Sequence, residues 1–347
     1  MQRDIALVTG ASGFVGRWAI RALRNRGWRV RAGVHRPTDR ALYGGDELID
    51  AVTLDVLDRQ SMLRALRGVS QVFHFAALLD PKAPSDDLFR INAEGTRNVW
   101  ECAAACNVAA ALYCSSAAVY GLLASSVQPV SEGVMPRAVE AYGRSKLMGE
   151  SAALEISKKS GLPTVIIRPV AVFGPGQTTL FGNALRNAAV SRILLAEGFQ
   201  GKKFCFVHVE DVAEAAVYLL GSAGHGAQTY NVASGNAISF DDAFRAYRNA
   251  LKCSGRLLLR ARLLALISLA VRNIPAVWGP LGFRLWRPGF DITYSSEKLM
   301  HAGFQCKWNS FKDVILSCIT DERLAGDRKG ACSREKENLF HSADLPR

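Results

Sequence analysis

The chain has 347 residues, 49% of them hydrophobic and 21% charged, with a formal net charge of +12. That is enough apolar material for one large domain or a domain with a lobe, and it excludes a globally disordered chain. The basic balance suits an anionic cofactor or an anionic membrane surface; without zinc-finger spacing or basic–aromatic interleaving, no nucleic-acid partner is expected.

The eight cysteines form no Cys-x-x-Cys pair and read as small apolar residues of a reducing compartment. The six histidines show no metal-ligand spacing, so no metal is expected. A core strand starts within the first residues, which leaves no room for a signal peptide and makes a cytoplasmic protein the expectation.

Ile5–Val8 is a short buried strand, and Gly10, Gly13 and Gly16 follow it at three-residue spacing. Arg17–Leu23 then has helical periodicity, with Trp18, Ala19, Ala22 and Leu23 on one face. Strand, glycine loop and helix open a dinucleotide-binding unit. A pyrophosphate sits against the first helical turn, where free N–H groups and the positive dipole end converge. Side chains at Gly10 or Gly13 would hold the phosphates off, and Gly16 lets the helix pack close to the strand.

A second strand, Trp28–Val34, ends in His35-Arg36-Pro37. A carboxylate near this position would bind the ribose 2′-hydroxyl of NAD. Arg36, with Arg40 close by, suits a 2′-phosphate instead, so NADP(H) is the favoured cofactor and NAD(H) the alternative. Ala51–Leu54 is a third strand, followed by Asp55 and Val56, with Asp58 as a candidate helix cap. Val69–Ala77 is a fourth, ending in the small residues required where backbone passes a bound cofactor.

A long helix runs to Ala105, Ala110–Cys114 is the fifth strand, and Ser115-Ser116 follows it. The helix Ala141–Ile156 carries Tyr142 and Lys146 four residues apart, hence on one face. Hydride transfer to a carbonyl leaves charge on oxygen, which needs a proton donor. A free phenol, with a pKa of about 10, is a poor acid–base group at neutral pH. An ammonium beside Tyr142 lowers that pKa, and a Ser116 hydroxyl orients and polarises the carbonyl. Leu162–Pro169 is the sixth strand.

The Gly-x-x-Gly-x-x-Gly loop and the Ser116…Tyr142-x-x-x-Lys146 constellation resemble the short-chain dehydrogenase/reductase family. Asn92-x-x-Gly95-Thr96-x-Asn98, Arg168-Pro169, Phe206–Ala213 and Tyr230–Ala233 are similar to landmarks of its extended branch. The resemblance covers about residues 3–240. With the alternation of strands and helices it implies an α/β, doubly wound parallel sheet of Rossmann type and a smaller C-terminal substrate lobe. Residues 1–170 with 205–235 would form the dinucleotide-binding domain, and 171–204 with 236–320 the lobe. The resemblance implies Ser116, Tyr142 and Lys146 as catalytic residues. It implies cofactor contacts at Thr9, Gly10, Ser12, Gly13, Phe14, Val15, Gly16, Arg36, Asp55, Val56, Phe75, Ala76, Ala77, Asn92, Tyr142, Lys146, Pro169 and Val172. Asn92 would brace the site, and His208 and Asp211 would lock their helix rather than do chemistry. A homodimer through the helices at Thr96–Ala105 and Ala141–Ile156 is common in such relatives.

Two departures narrow the choice. Ala117 and Ala118 stand where sugar dehydratases of the family carry an acidic pair, and Ala171 stands where many nucleotide-sugar epimerases carry an Asn. The remaining look-alikes are the 3β-hydroxysteroid or sterol dehydrogenases and the dihydroflavonol or cinnamoyl reductases. The expected function is an oxidoreductase interconverting a secondary alcohol and a ketone on a lipophilic, sterol-, flavonoid- or polyketide-like substrate. The alternatives are a nucleotide-sugar epimerase and a non-catalytic dinucleotide sensor, although sensors of this kind typically lose the Tyr or the Lys.

Residues 256–287 are apolar and basic, with Leu263–Val271 the longest uncharged run. That is far short of the roughly 20 residues needed to span a bilayer. It reads either as a packed lobe helix or as a helix on a membrane surface, where the protein would be peripheral. Asp291–Gly303 resembles the family's final helix-loop, Phe311–Ile319 is a last helix, and 321–347 is a charged, aperiodic tail expected to be disordered.

Overall fold

The computed structural model describes residues 5–80, 83–125, 128–177, 201–253 and 291–320, together with 182, 183, 185, 186 and 189. The membrane-surface expectation for 256–287 and the tail 321–347 lie outside the described residues. In chain order the first elements are β1 (Ile5–Thr9), α1 (Phe14–Asn25), β2 (Arg29–Val34), β3 (Ile49–Thr53), α2 (Arg59–Ala65) and β4 (Gln71–His74). Next come α3 (Ser85–Phe89), α4 (Gly95–Ala105), β5 (Ala110–Cys114), α5 (Ala141–Ser160), β6 (Thr164–Pro169) and β7 (Ala171–Phe173). They are followed by β8 (Lys203–His208), α6 (Val209–Gly221), β9 (Ala227–Val232), β10 (Ala237–Ser239), α7 (Phe240–Ala250) and α8 (Glu297–His301).

Seven strands form one parallel sheet in the order β3-β2-β1-β4-β5-β6-β9. The order reverses at β1, so the carboxyl ends of β1 and β4 diverge into the crevice where such sheets bind ligands. The strands read as continuous apolar runs because both faces are covered. Pleating sends Ala6 and Val8 of β1 into one core, with Ala19, Ile20 and Leu23 of α1 and Val212, Ala216 and Leu220 of α6. Leu7 goes to the other, with Met62 of α2, Val99, Trp100 and Ala103 of α4, and Ala153 and Ile156 of α5. Helices thus lie on both faces, as a doubly wound sheet requires.

A second, three-stranded sheet has the order β10-β8-β7. Its aromatic core holds Phe173, Phe204, Phe206, Phe240, Phe244, Tyr247 and Phe311, the last on a helix over 311–320. Within 205–235, α6 and β9 join the main layers, whereas 205–208 belong to β8 of the small sheet. His208 caps α6 by accepting from Glu210 N–H at 3.1 Å and stacks on Trp308 with ring centres 4.2 Å apart. Asp211 accepts from the backbone N–H of Lys307 and Trp308 at 2.9 and 3.0 Å. These two residues therefore tie α6 to the C-terminal segment. Among the described residues no helix is long and apolar enough to cross a membrane.

Candidate active site

The glycine loop is shaped by contact with its neighbours. Gly10 has φ +65°, and a Cβ there would meet Ala76 N at 2.5 Å. Its lack of a side chain is therefore needed for the approach to the end of β4, a reason additional to the phosphate clearance read from the sequence. A Cβ on Gly16 would drive into the Gly10 carbonyl, so α1 can lie this close to the loop only with glycine there. Gly13 caps α1 in extended backbone with no side-chain hydrogen bond, and the first turn holds no acid. This uncapped helix start, bordered by Ser12, Phe14 and Val15, fits an anionic pyrophosphate. Tyr43, which the sequence did not single out, donates to the Ala11 carbonyl at 2.6 Å and holds the loop from the β2 side.

At the β2 end Arg36 is exposed, and its Nε lies 3.4 Å from Asp39 Oδ2. Asp39, three residues on, thus places a carboxylate beside the guanidinium. Arg40 Nε donates instead to the Ala51 carbonyl at 2.8 Å. Asp55 accepts from Leu57 N–H at 2.9 Å in a tight turn, and Val56 is buried against Gly95, where a Cβ would lie 2.7 Å from Val56 Cγ2. Phe75 and Ala76 are half-buried and Ala77 exposed beyond β4, while Pro169 is buried at the end of β6 and Val172 half-buried in β7.

Tyr142 and Lys146 share the inner face of α5. Gly143 lets the first turn of this helix rest on the segment after β5, since a Cβ there would lie 2.6 Å from the Ala118 carbonyl oxygen. That approach brings the Tyr142 phenol near enough to Ser116 for the hydroxyl to influence it. Ser116 Oγ also accepts from Ala118 N–H at 3.1 Å, which fixes the hydroxyl. Lys146 is 2% exposed, and its Nζ lies 4.3 Å from the ring centre of Tyr113.

The electrostatics differ from the sequence expectation. Burial raises the Tyr142 phenol well above its ordinary value, the nearby Cys114 thiol adds to the rise, and the Ser116 hydrogen bond opposes it. The lowering expected from Lys146 is not seen, because burial is the largest influence on this half-buried phenol and works in the other direction. Burial also pulls Lys146 down to about 8, with Cys114 and Glu150 opposing. Cys114, which closes β5, is a half-buried free thiol; burial pushes it up to about 11, with Lys146 opposing.

Two buried networks hold α5. Asn92 sits on a single π-helical turn, Arg90–Glu94, between α3 and α4. Its Oδ1 accepts from Leu78 N–H at 2.7 Å, and its Nδ2 donates to Ser145 Oγ at 3.0 Å. Ser145 Oγ in turn donates to the Tyr142 carbonyl at 2.8 Å. Below them Glu150 and Arg168 form a bidentate pair at 2.9 and 2.6 Å. Arg168 also donates to Tyr120 Oη at 2.8 Å, and Tyr120 donates to Asn231 Oδ1 at 2.8 Å. Helix, β6 and β9 are thus joined by charge-assisted bonds among buried groups.

A family model described as the NAD dependent epimerase/dehydratase family matches residues 6–233. Dihydroflavonol 4-reductase of Callistephus chinensis is 28% identical over 362 residues, covering 97% of this chain and 91% of that protein. The protein y4nG of Sinorhizobium fredii is 33% identical over 238 residues, 65% of this chain, and the match spans only 55% of that relative's length. The crystal structure of gox2253 superposes with a TM-score of 0.74 at 27% identity, covering 93% of this chain and 99% of that one. The chain belongs to the NAD dependent epimerase/dehydratase family and is an NAD(P)-dependent enzyme of the extended short-chain dehydrogenase/reductase type.

Proposed function

We propose that the chain interconverts a secondary alcohol and a ketone on a lipophilic substrate, with NADP(H) as cofactor. The observation that carries this is the half-buried Tyr142 phenol, near Ser116 and one helical turn from the buried Lys146. The glycine loop and the first turn of α1 would hold the pyrophosphate, Arg36 the 2′-phosphate, and Lys146 the nicotinamide ribose. When bound, the reduced nicotinamide supplies the hydride. Ser116 orients the substrate oxygen and shares its charge. Tyr142 keeps its proton on Oη at neutral pH, because burial raises its pKa, and gives that proton to the oxygen as the ketone is reduced. Lys146 adds a cation close by, which steadies Oη once it is charged.

The substrate class is supported by exposed apolar side chains. Leu79 follows β4, and Met135 and Val139 precede α5, at 47%, 72% and 54% exposure. Both segments leave the carboxyl side of the sheet, where ligands of such folds bind. The dihydroflavonol reductase, by its name, acts on a flavonoid. We also propose a homodimer through α4 and α5, and a peripheral membrane contact through 256–287.

The test is a fluorescence screen of NADPH consumption across steroid, flavonoid and nucleotide-sugar panels. Consumption with an apolar ketone, matched by alcohol formation, is expected. Interconversion of nucleotide sugars with the cofactor retained would replace this reading by the epimerase.

A further inference from the structure

Buried polar groups around His74, to which the proposed chemistry gives no role, form one hydrogen-bonded line through the sheet. Ala76 N–H donates to Thr9 Oγ1 at 3.2 Å. Thr9 Oγ1 lies 2.7 Å from His74 Nδ1, and His74 Nε2 lies 3.0 Å from Thr96 Oγ1. Thr96 Oγ1 donates to the Asn92 carbonyl at 2.7 Å. Thr9, His74, Thr96 and Asn92 are all 0% exposed. Polar groups so placed are costly unless every donor and acceptor is matched.

Counting protons fixes each direction. A hydroxyl has one proton, and Thr96 gives it to the Asn92 carbonyl. Thr96 Oγ1 must therefore accept from His74 Nε2–H. A neutral imidazole has one N–H, so Nδ1 is an acceptor and Thr9 Oγ1–H donates to it. The remaining lone pairs of Thr9 take the Ala76 N–H. The ring is neutral: burial pulls its pKa down to about 3, and the Lys146 charge acts in the same direction. Tyr113, stacked at 5.5 Å between ring centres, and Trp100, edge-on at 6.0 Å, hold the ring plane.

The ends of this line are the two halves of the site. Thr9 immediately precedes Gly10, and Ala76 N is the atom that a Cβ on Gly10 would strike. Asn92 reaches Tyr142 through Ser145. We infer that His74 is a positioning residue: in its Nε2–H tautomer it holds the glycine loop in register with the helix that carries Tyr142. This sets how the bound cofactor faces the acid–base group, and it rests on the reading of loop and Tyr142 proposed above.

The test uses variants that cut the line on opposite sides. Asn at 74 offers an acceptor near Nδ1 but no donor reaching Thr96. Gln offers a donor near Nε2 but no acceptor for Thr9. His74→Asn is expected to lower kcat roughly tenfold with NADPH affinity nearly unchanged, as for loss of one buried hydrogen bond. His74→Gln is expected to weaken NADPH binding by a similar factor with kcat nearer that of the parent. Equal losses in both variants, or the reverse split, would overturn the inference. Long-range nitrogen NMR of the unaltered chain gives a readout that needs neither turnover nor variants. A single Nε2–H tautomer that does not titrate between about pH 5 and 8, close to the ordinary His pKa, is expected. An Nδ1–H tautomer, or titration in that window, contradicts the inference. Failure of the Tyr142 chemistry is seen separately, in Tyr142→Phe, and leaves the tautomer unaffected.

Discussion

At the α5 end of the cofactor groove, Lys146, Glu150, Arg168, Asn92 and Ser145 are each 6% exposed or less; Asn92 is bonded to Ser145 and Arg168 to Glu150, and Lys146 lies over the Tyr113 ring. At the β2 end, Arg36 has 75% of its side chain in solvent and only a 3.4 Å contact to Asp39. The contrast fits what the proposed roles ask of each end. Proton transfer depends on placement to within a fraction of an ångström, so its groups are held by buried bonds. Choosing between a phosphate and a hydroxyl needs only charge of the right sign near the surface, where placement is looser and salt screens the effect.

The sharpest way to break the buried end is Tyr142→Phe. The ring still packs and NADPH still binds, but Oη and its proton are gone. A loss of about 10²–10⁴-fold in kcat is expected. Activity within a fewfold of the parent would remove Tyr142 from the mechanism.

Next in size is Arg168→Met, which leaves Glu150 buried without its partner. Urea unfolding should show a loss of about 3–5 kcal/mol. Replacing both partners, as Glu150→Leu with Arg168→Met, should recover a large part of that loss, since the cost lies in the unpaired charge. No recovery would mean that the pair stabilises α5 beyond its own charges.

Acid should act through the buried histidines. Burial lowers His74 to about 3 and His208 to about 4, both from 6.5. The unfolded chain therefore binds protons first. The stability these groups give is complete above pH 6.5 and is lost as pH falls through 6.5 towards 4. Each pKa unit is worth about 1.4 kcal/mol per group. Asp211, raised by burial, works in the opposite sense and blunts the fall. Unfolding midpoints measured at pH 7 and pH 5 check this, and equal values would contradict it.

The smallest effect belongs to the exposed end. Arg36→Asp should shift preference from NADPH towards NADH by roughly tenfold, a surface-charge effect that weakens with salt. Unchanged NADPH affinity would place the 2′-phosphate away from Arg36.

The same division explains what was legible in the sequence. Ile5–Val8, Ala110–Cys114 and Leu162–Pro169 announce themselves because strands covered on both faces carry uninterrupted apolar residues. Gly10, Gly13, Gly16, Tyr142 and Lys146 are spaced by local backbone geometry, and spacing survives in a linear string. What brings Glu150 to Arg168, Asn92 to Ser145 and His74 to Thr9 and Thr96 is packing between elements far apart in the chain, and no local pattern records it. His74 lies between two phenylalanines and reads there as a strand side chain; its role depends on β1 and α4, which flank it only in the fold. The Tyr142 environment differs from the sequence expectation for a related reason, since the degree of burial that governs its pKa is a tertiary property. The small sheet was equally hidden, two of its three strands having three residues each and all being drawn from separated segments.

The central claim is net hydride delivery to a lipophilic ketone beside Tyr142. It is tested most directly by following deuterium from NADPH labelled at the transferable position of the nicotinamide. The account predicts one deuterium at the carbinol carbon of each product alcohol, with an equal amount of oxidised cofactor released into solution. Label that never leaves the protein, while a sugar nucleotide is returned as its epimer, would contradict it.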